Sequence, residues 1–232
     1  MRILTFFIGI FMVPLCFAVS ETTVSLVRAI APSSTATIPA SAWALGGGFL
    51  FWIFLYFTLP LPVRTYVLAH ELTHALWGTM MGARVFRMRV SRSSGSVTMS
   101  KSNFLITLAP YFFPLYTVMV IAGYYLLSLF CDVHDYELFW LGLVGFTWGF
   151  HFTFTISTLL QHQSDIKEYG VVFSYVLIYL LNVAGISIWI VMVADVTISQ
   201  AVDFFRIHMA ETAYSTWDLI RWVVEKIREV VQ

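Results

Sequence analysis

The chain has 232 residues, of which 59% are hydrophobic, 17% aromatic and only 11% charged. A soluble domain carries about 25% charged residues, so an ordinary water-soluble globule and a disordered chain are both excluded. The 13 basic and 13 acidic residues cancel, which leaves no global field to recruit nucleic acid as a partner. The composition is that of a multi-pass integral membrane protein surrounded by a lipid bilayer, with a bacterial inner membrane as the expected location.

Residues 1–20 open with Arg2 and continue as the apolar run Ile3–Val19. The run ends in Ala18-Val19-Ser20, small residues at the positions a signal peptidase reads, so the segment is either a cleaved signal peptide or a first membrane span. Residues 21–42 are rich in Ser, Thr, Ala and Pro and read as a loop. Five apolar segments follow: Trp43–Leu59, Val63–Gly82, Phe104–Phe130, Leu138–Leu160 and Val171–Ala194. Pro60 and Pro62 break the chain after the first, Gly82 supplies a stop for the second, and Pro110 and Pro114 lie near the start of the third. The fold class these imply is an all-α integral membrane bundle of five to six hydrophobic helices.

Arg84–Lys101 departs from that pattern. Val85, Arg87 and Arg89 alternate with Phe86, Met88 and Val90, the period of a strand. Ser91–Ser96 is turn material, and Val97–Ser100 is a second run of strand formers, so the segment predicts a β-hairpin. It carries five basic residues and no acid, whereas Cys131–Glu137 carries three acids and no Lys or Arg. The positive-inside bias puts the hairpin on the cytoplasmic side, the acidic loop on the other, and Gln161–Gly170 back on the hairpin's side. A full crossing by every apolar segment conflicts with these sides, so Val63–Gly82 is read as only partly immersed. Residues 195–232 form a C-terminal segment in which Val202, Phe205, Met209, Ala213, Trp217, Ile220, Val224, Ile227 and Val231 recur at helical spacing. This predicts an amphipathic helix that lies on the membrane or caps the bundle. Cys16 and Cys131 are the only cysteines, so no disulfide framework is expected.

The residues that carry chemistry are His70-Glu71-Leu72-Thr73-His74. On a helix, positions i and i+4 share a face, so both imidazoles can reach one Zn²⁺. Glu71 stands about 100° around the same turn, where it can act as general base toward a water held there. Ionisable groups in a bilayer helix cost about 2.5–3.5 kcal/mol each on insertion scales, so three within five residues ask for a reason. A catalytic zinc takes three protein ligands and keeps a position open. No carboxylate lies between Glu71 and Asp132, and the acids of Cys131–Glu137 fall on the opposite predicted side. Asp165 is the expected third ligand, with His162, His151 and Glu168 as alternatives, and helix capping by Ser164 or Asp165 as the competing structural role.

His151, Thr155, Thr158 and His162 form one polar stripe directed toward Asp165. It reads as the wall of a water-bearing cavity or, alternatively, as a set of interhelical hydrogen bonds. On another face Gly145, Gly149, Thr153 and Ser157 make a small-residue ridge for helix packing. Asn182 is a buried polar candidate with a structural role. The basic residues of the hairpin read as topology determinants and headgroup contacts. An unpaired edge at Val97–Ser100 offers a place where an unwound substrate can add a strand.

Over Trp43–Ala194 the chain resembles the site-2 protease family of intramembrane zinc metalloproteases. The resemblance rests on His70, Glu71 and His74 for the motif helix, Asp165 for the distal ligand, and Arg84–Lys101 for a basic β-segment after the motif. In that family the distal aspartate is often followed by Gly, where this chain has Ile166, and a Gly-Pro pair appears here as Ala109-Pro110. The resemblance implies that residues 43–194 form an intramembrane metalloprotease-like domain. It further implies an endopeptidase with zinc on His70, His74 and Asp165, Glu71 as catalytic base and a membrane-protein helix as substrate. A catalytically idle scaffold of the same fold is the alternative. A metal or small-solute transporter is a third reading, disfavoured because no pair of broken, repeated helices is visible.

Overall fold

Long apolar runs have one economical solution to backbone hydrogen bonding in a medium without water, the α-helix. The computed structural model describes residues 2–30, 40–161, 163–194 and 196–231, and helices dominate it. In chain order these are α1 (Arg2–Ile30), α2 (Ala40–Thr58), α3 (Val63–Met80), α4 (Phe104–Phe112), α5 (Leu115–Ser128), α6 (Glu137–Leu159), α7 (Ser164–Tyr169), α8 (Val171–Val193) and α9 (Ile198–Val231). Strands β1 (Val85–Val90) and β2 (Gly95–Met99) lie between α3 and α4. Among the described residues four helical stretches are long and apolar enough to cross a membrane: Ile3–Ile30, Ala40–Thr58, His134–Leu159 and Val171–Met192. The segments expected as five to six hydrophobic helices all fall on helices, and four of these stretches, or five if α4 and α5 together count as one broken span, are long and apolar enough to cross a membrane. The α3 helix forms as predicted but does not qualify, because Arg64, His70, Glu71 and His74 interrupt its apolar surface.

The chain folds as two compact units, residues 1–36 with 166–232, and residues 37–165. Within the first of these units α8 packs against α1. The expected loop at residues 21–42 is corrected. Residues 21–30 continue α1, residues 31–39 lie outside the described residues, and residues 40–42 open α2. The Ser and Thr content that suggested a loop is absorbed within the helix: the hydroxyls of Ser20, Thr22 and Thr23 donate to the carbonyls of Cys16, Ala18 and Val19, four residues back. The helix runs unbroken through Ala18-Val19-Ser20.

In the unit of residues 1–36 and 166–232, one stripe of α1 is buried, with Ala18 and Leu26 fully enclosed. Ser20 Oγ meets the Tyr179 hydroxyl at 2.8 Å and Thr23 Oγ1 meets Ser187 Oγ at 2.7 Å, while Leu26, Ile190 and Val196 form an apolar cluster with Phe204 against it. His208 Nδ1 donates to Glu211 Oε2 at 2.9 Å, and its Nε2 meets Ser25 Oγ at 2.9 Å. The Ser-His-Glu order is that of a nucleophile relay. Ser25, however, lies inside a helix whose neighbouring N–H groups are spent on the helix itself, leaving no donors for a developing oxyanion. The contact instead ties α9 to α1. Asn182, on α8, donates to the Ile178 carbonyl, a local structural bond.

In the unit of residues 37–165, α2 and α6 pack closely. A Cβ at Gly48 would strike the Gly142 backbone and one at Gly145 the Leu45 backbone, while Gly149 faces Trp52. The predicted ridge is thus a packing surface at Gly145, Gly149 and Thr153, the last accepting a hydrogen bond from Trp52 Nε1 at 2.9 Å. Trp52 also packs on Phe146, Phe150 and Phe154, and here the high aromatic content becomes core.

Three local features then shape the site. α3 stops at a Schellman turn in which Ala83 N–H donates to Gly78 O and Gly82 N–H to Thr79 O, with Gly82 at φ 76°. The predicted hairpin forms in antiparallel register, with Val90 opposite Gly95 and Arg87 opposite Thr98, and with an irregularity between Val85 and Arg87. β2 begins at Gly95, so the turn is shorter than the expected Ser91–Ser96 and is closed by Ser91 and Ser94. The long Phe104–Phe130 segment breaks into α4 and α5, bent by 74°. Phe113 takes extended backbone angles ahead of Pro114, the steric demand of a proline on its predecessor.

Replacing Gly145 by Val should separate α2 from α6. The expected result is a thermal midpoint in detergent lowered by about 2–10 °C, for an overpacking cost of about 1–3 kcal/mol. Gly46→Ala, where a Cβ meets nothing within 4 Å, should leave the midpoint in place.

Candidate metal centre

The helical period places His70 and His74 on one face of α3, and there their rings stand edge to face with centroids 4.8 Å apart. The two Nε2 atoms are 3.2 Å apart. Asp165, near the start of α7, brings its Oδ2 to 3.4 Å from His70 Nε2 and 3.6 Å from His74 Nε2. Among the described residues this is the one group of three or more His, Cys, Asp or Glu side chains whose ligand atoms gather closely enough for a metal ion.

The orientation of each ring is fixed from behind. His74 Nδ1 lies 2.9 Å from the Ile106 carbonyl. A carbonyl can only accept, so Nδ1 carries the proton and the neutral ring presents a bare Nε2 lone pair to the centre. His70 Nδ1 lies 3.3 Å from the Tyr66 hydroxyl, whose other contact is Thr158. Burial alone would push the Asp165 carboxyl up. Hydrogen bonds and charge from His70 and His74 outweigh it and hold the carboxyl well below the usual carboxylate range, so it stays ionised. The positive charge that steadies it is supplied either by imidazolium protons or by a metal ion at the same point.

The donor set fits zinc on geometry. Ligand atoms about 2.0–2.2 Å from a tetrahedral zinc stand about 3.3–3.6 Å from one another. The three separations are 3.2, 3.4 and 3.6 Å. Two imidazole nitrogens and one carboxylate oxygen are also a donor set that zinc accepts with one position left open.

Glu71 is 6% exposed and lies close enough to His74 and Asp165 to sense their charges. The start of β2 lies directly on it: a Cβ at Gly95 would fall on the Glu71 carboxylate. Glycine at that position is what lets strand backbone pass over the carboxylate.

Of the other expected residues, His151, Thr155 and Thr158 are all buried on α6. His151 lines a small cavity of about 20 Å³ together with Tyr66, His70, Thr73, Tyr116 and Phe150, room for a single water. Thr158 meets Tyr66, as described, and Thr155 Oγ1 is buried with no hydrogen-bond partner among the described residues. His162, the last member of the stripe and an alternative ligand, lies outside the described residues. Neither His151 nor Glu168 belongs to the metal-ligating group, and Glu168 is exposed. Asp165 faces the two histidines, with Ser164 Oγ donating to its Oδ1 at 3.2 Å.

Sequence reasoning missed Tyr66, Tyr111, the Ile106 carbonyl and Gly95. Tyr66 was within reach, since it stands one helical turn before His70. The other three approach α3 through tertiary folding. No protein-family model matches this chain, and no curated protein or solved structure matches it.

Gly95→Ala should push the hairpin away from Glu71. Amide exchange across Ser91–Met99 should rise, with α6 unchanged, when measured by hydrogen–deuterium exchange. Unaltered protection of the hairpin would show that the strand does not rest on Glu71.

Proposed function

We propose that this chain is a zinc-dependent intramembrane endopeptidase that hydrolyses peptide bonds of membrane-protein substrates. The observation that supports it most is the convergence of His70, His74 and Asp165 at zinc-ligand spacing, with Glu71 one residue along the same helix. His70, His74 and Asp165 would hold the ion. When bound, zinc supplies Lewis acidity, polarising a peptide carbonyl and making water easier to deprotonate.

Glu71 takes the proton from the attacking water and returns it to the leaving amine nitrogen, so one carboxylate serves as base and then as acid. Burial beneath Gly95 limits the number of waters that compete for it. His74, anchored through Ile106, and His70, beside Tyr66, would offer their Nε2 atoms at one point. The 20 Å³ cavity behind His70 offers a place for a hydrolytic water to wait.

The membrane setting of the proposal draws on the four helices apolar enough to cross a bilayer. A helical substrate shields its own peptide bonds, so it must unwind before cleavage. The outer edge of the hairpin, next to Glu71, is suited to receive the unwound strand. The resemblance to site-2 proteases in motif, distal aspartate and basic β-segment supports the same reading. An idle scaffold has no use for a buried glutamate beside a metal site, and Glu71 therefore weighs against it.

Elemental analysis of detergent-purified protein should find one zinc per chain, lost on His70→Ala, His74→Ala or Asp165→Ala. Glu71→Gln should retain the metal and lose cleavage of a membrane-protein substrate by at least about a hundredfold, because the amide cannot accept a proton. Full metal in all three ligand variants would remove the proposal's foundation. Single-cysteine labelling of Arg92→Cys and Gln163→Cys should mark the same membrane side, since the hairpin and Asp165 converge on one turn of α3. Labelling from opposite sides would contradict that geometry.

A further inference from the structure

The expected ligands leave one fully buried group at the centre without a role. Tyr111, on α4, has 0% exposure and is among the largest completely enclosed side chains. Its hydroxyl donates to Asp165 Oδ2 at 3.1 Å, the same oxygen that faces both imidazoles. Its ring stands edge-on to His70, with centroids 5.3 Å apart and planes at 89°.

Asp165 needs such help. An aspartate side chain turns about two bonds, and α7, which carries it, has only six residues, too short to be stable through its own hydrogen bonds. Ser164 holds Oδ1, but from the adjacent position in the same short helix, so it moves with the aspartate. Tyr111 is anchored elsewhere. α4 is capped by Asn103, whose side chain accepts from Ile106 N–H, and is buried from Ile106 through Tyr111. The same helix fixes His74 through the Ile106 carbonyl. One rigid element thus sets the orientation of a ligand on α3 and of a ligand on α7.

We propose that Tyr111 is a positioning residue for the metal centre: its hydroxyl holds Asp165 Oδ2 at the ligand point defined by His70 and His74, and so sets the affinity and geometry of the third bond to the ion. The inference rests on the zinc reading above and adds to it a residue outside the ligand set. Loss of a hydrogen bond to a ligating group costs about 10–100-fold in metal affinity.

The test uses the full-length protein in detergent, with zinc affinity measured by chelator competition and coordination read from the visible absorption of the Co²⁺-substituted protein. Tyr111→Phe keeps the ring on His70 and removes only the hydroxyl. It should leave the thermal midpoint of the metal-free protein near that of the parent, weaken zinc about 10–100-fold, and shift or flatten the cobalt bands. In an Asp165→Ala background the same substitution should change neither reading further, because the hydroxyl acts through Asp165. A Tyr111→Phe variant with parental zinc affinity and cobalt spectrum overturns this inference alone. So does a loss of affinity that is equally large with and without Asp165, since that marks a general packing defect. A parent protein that takes up neither zinc nor cobalt overturns the zinc reading, and this inference with it.

Discussion

Two imidazole nitrogens and an ionised carboxylate oxygen stand within 3.6 Å of one another, and groups brought this close repel unless positive charge, from ring protons or from an ion, lies among them. The remainder of the 37–165 unit can be understood as the apparatus that enforces that proximity. The period of α3 stacks the two histidines. The Ile106 carbonyl and the Tyr66 hydroxyl hold their outer nitrogens. The break at Pro114 lets α4 pack on α3 while α5 packs on α6. Each is a local feature, and their joint product is the close approach of His70, His74 and Asp165.

How much of this was legible in the sequence depended on the range of the interaction. The motif helix, the stop at Gly82, the hairpin and the glycine ridge on α6 all follow from spacings of two to four residues, and all appear, with the second strand starting two residues earlier than the pattern put it. Asp165 was reached by counting carboxylates, a constraint that an apolar chain makes unusually sharp. The extension of α1 through Glu21–Ile30 was not legible, because Ser and Thr favour loops only while their hydroxyls compete for backbone groups. Here they bond back to the preceding turn and expose apolar neighbours to α8. The 74° bend between α4 and α5 was half visible: Pro114 announced a break, but its angle comes from what α4 packs against. Tyr111 and Gly95 carried no signal, since a tyrosine in an apolar run and a glycine after serines look ordinary until folding brings them to α3.

The contrast between α3 and the four apolar helices is itself informative. A helix with Arg64, His70, Glu71 and His74 on its surface cannot face lipid on all sides at tolerable cost. The structure resolves the conflict by surrounding the motif turn with protein: α4 on one side, the hairpin on another, and Phe150, Phe154 and His151 of α6 on a third. The same enclosure that removes the groups from lipid also removes them from bulk water. In that setting charges interact more strongly than in solution.

The weakest wall of this enclosure is also identifiable. α4 and α6 are held by large buried side chains, whereas β1 and β2 form a two-stranded sheet with most residues exposed. Isolated hairpins are marginally stable, and this one rests on α3 at two places, Gly95 over Glu71 and the Met99 side chain over Gly78. Under the proposed endopeptidase reading, a peptide approaching Glu71 would meet the hairpin as the barrier of least stability. The strand that covers Glu71 would then also be the element whose backbone groups an extended chain most readily engages.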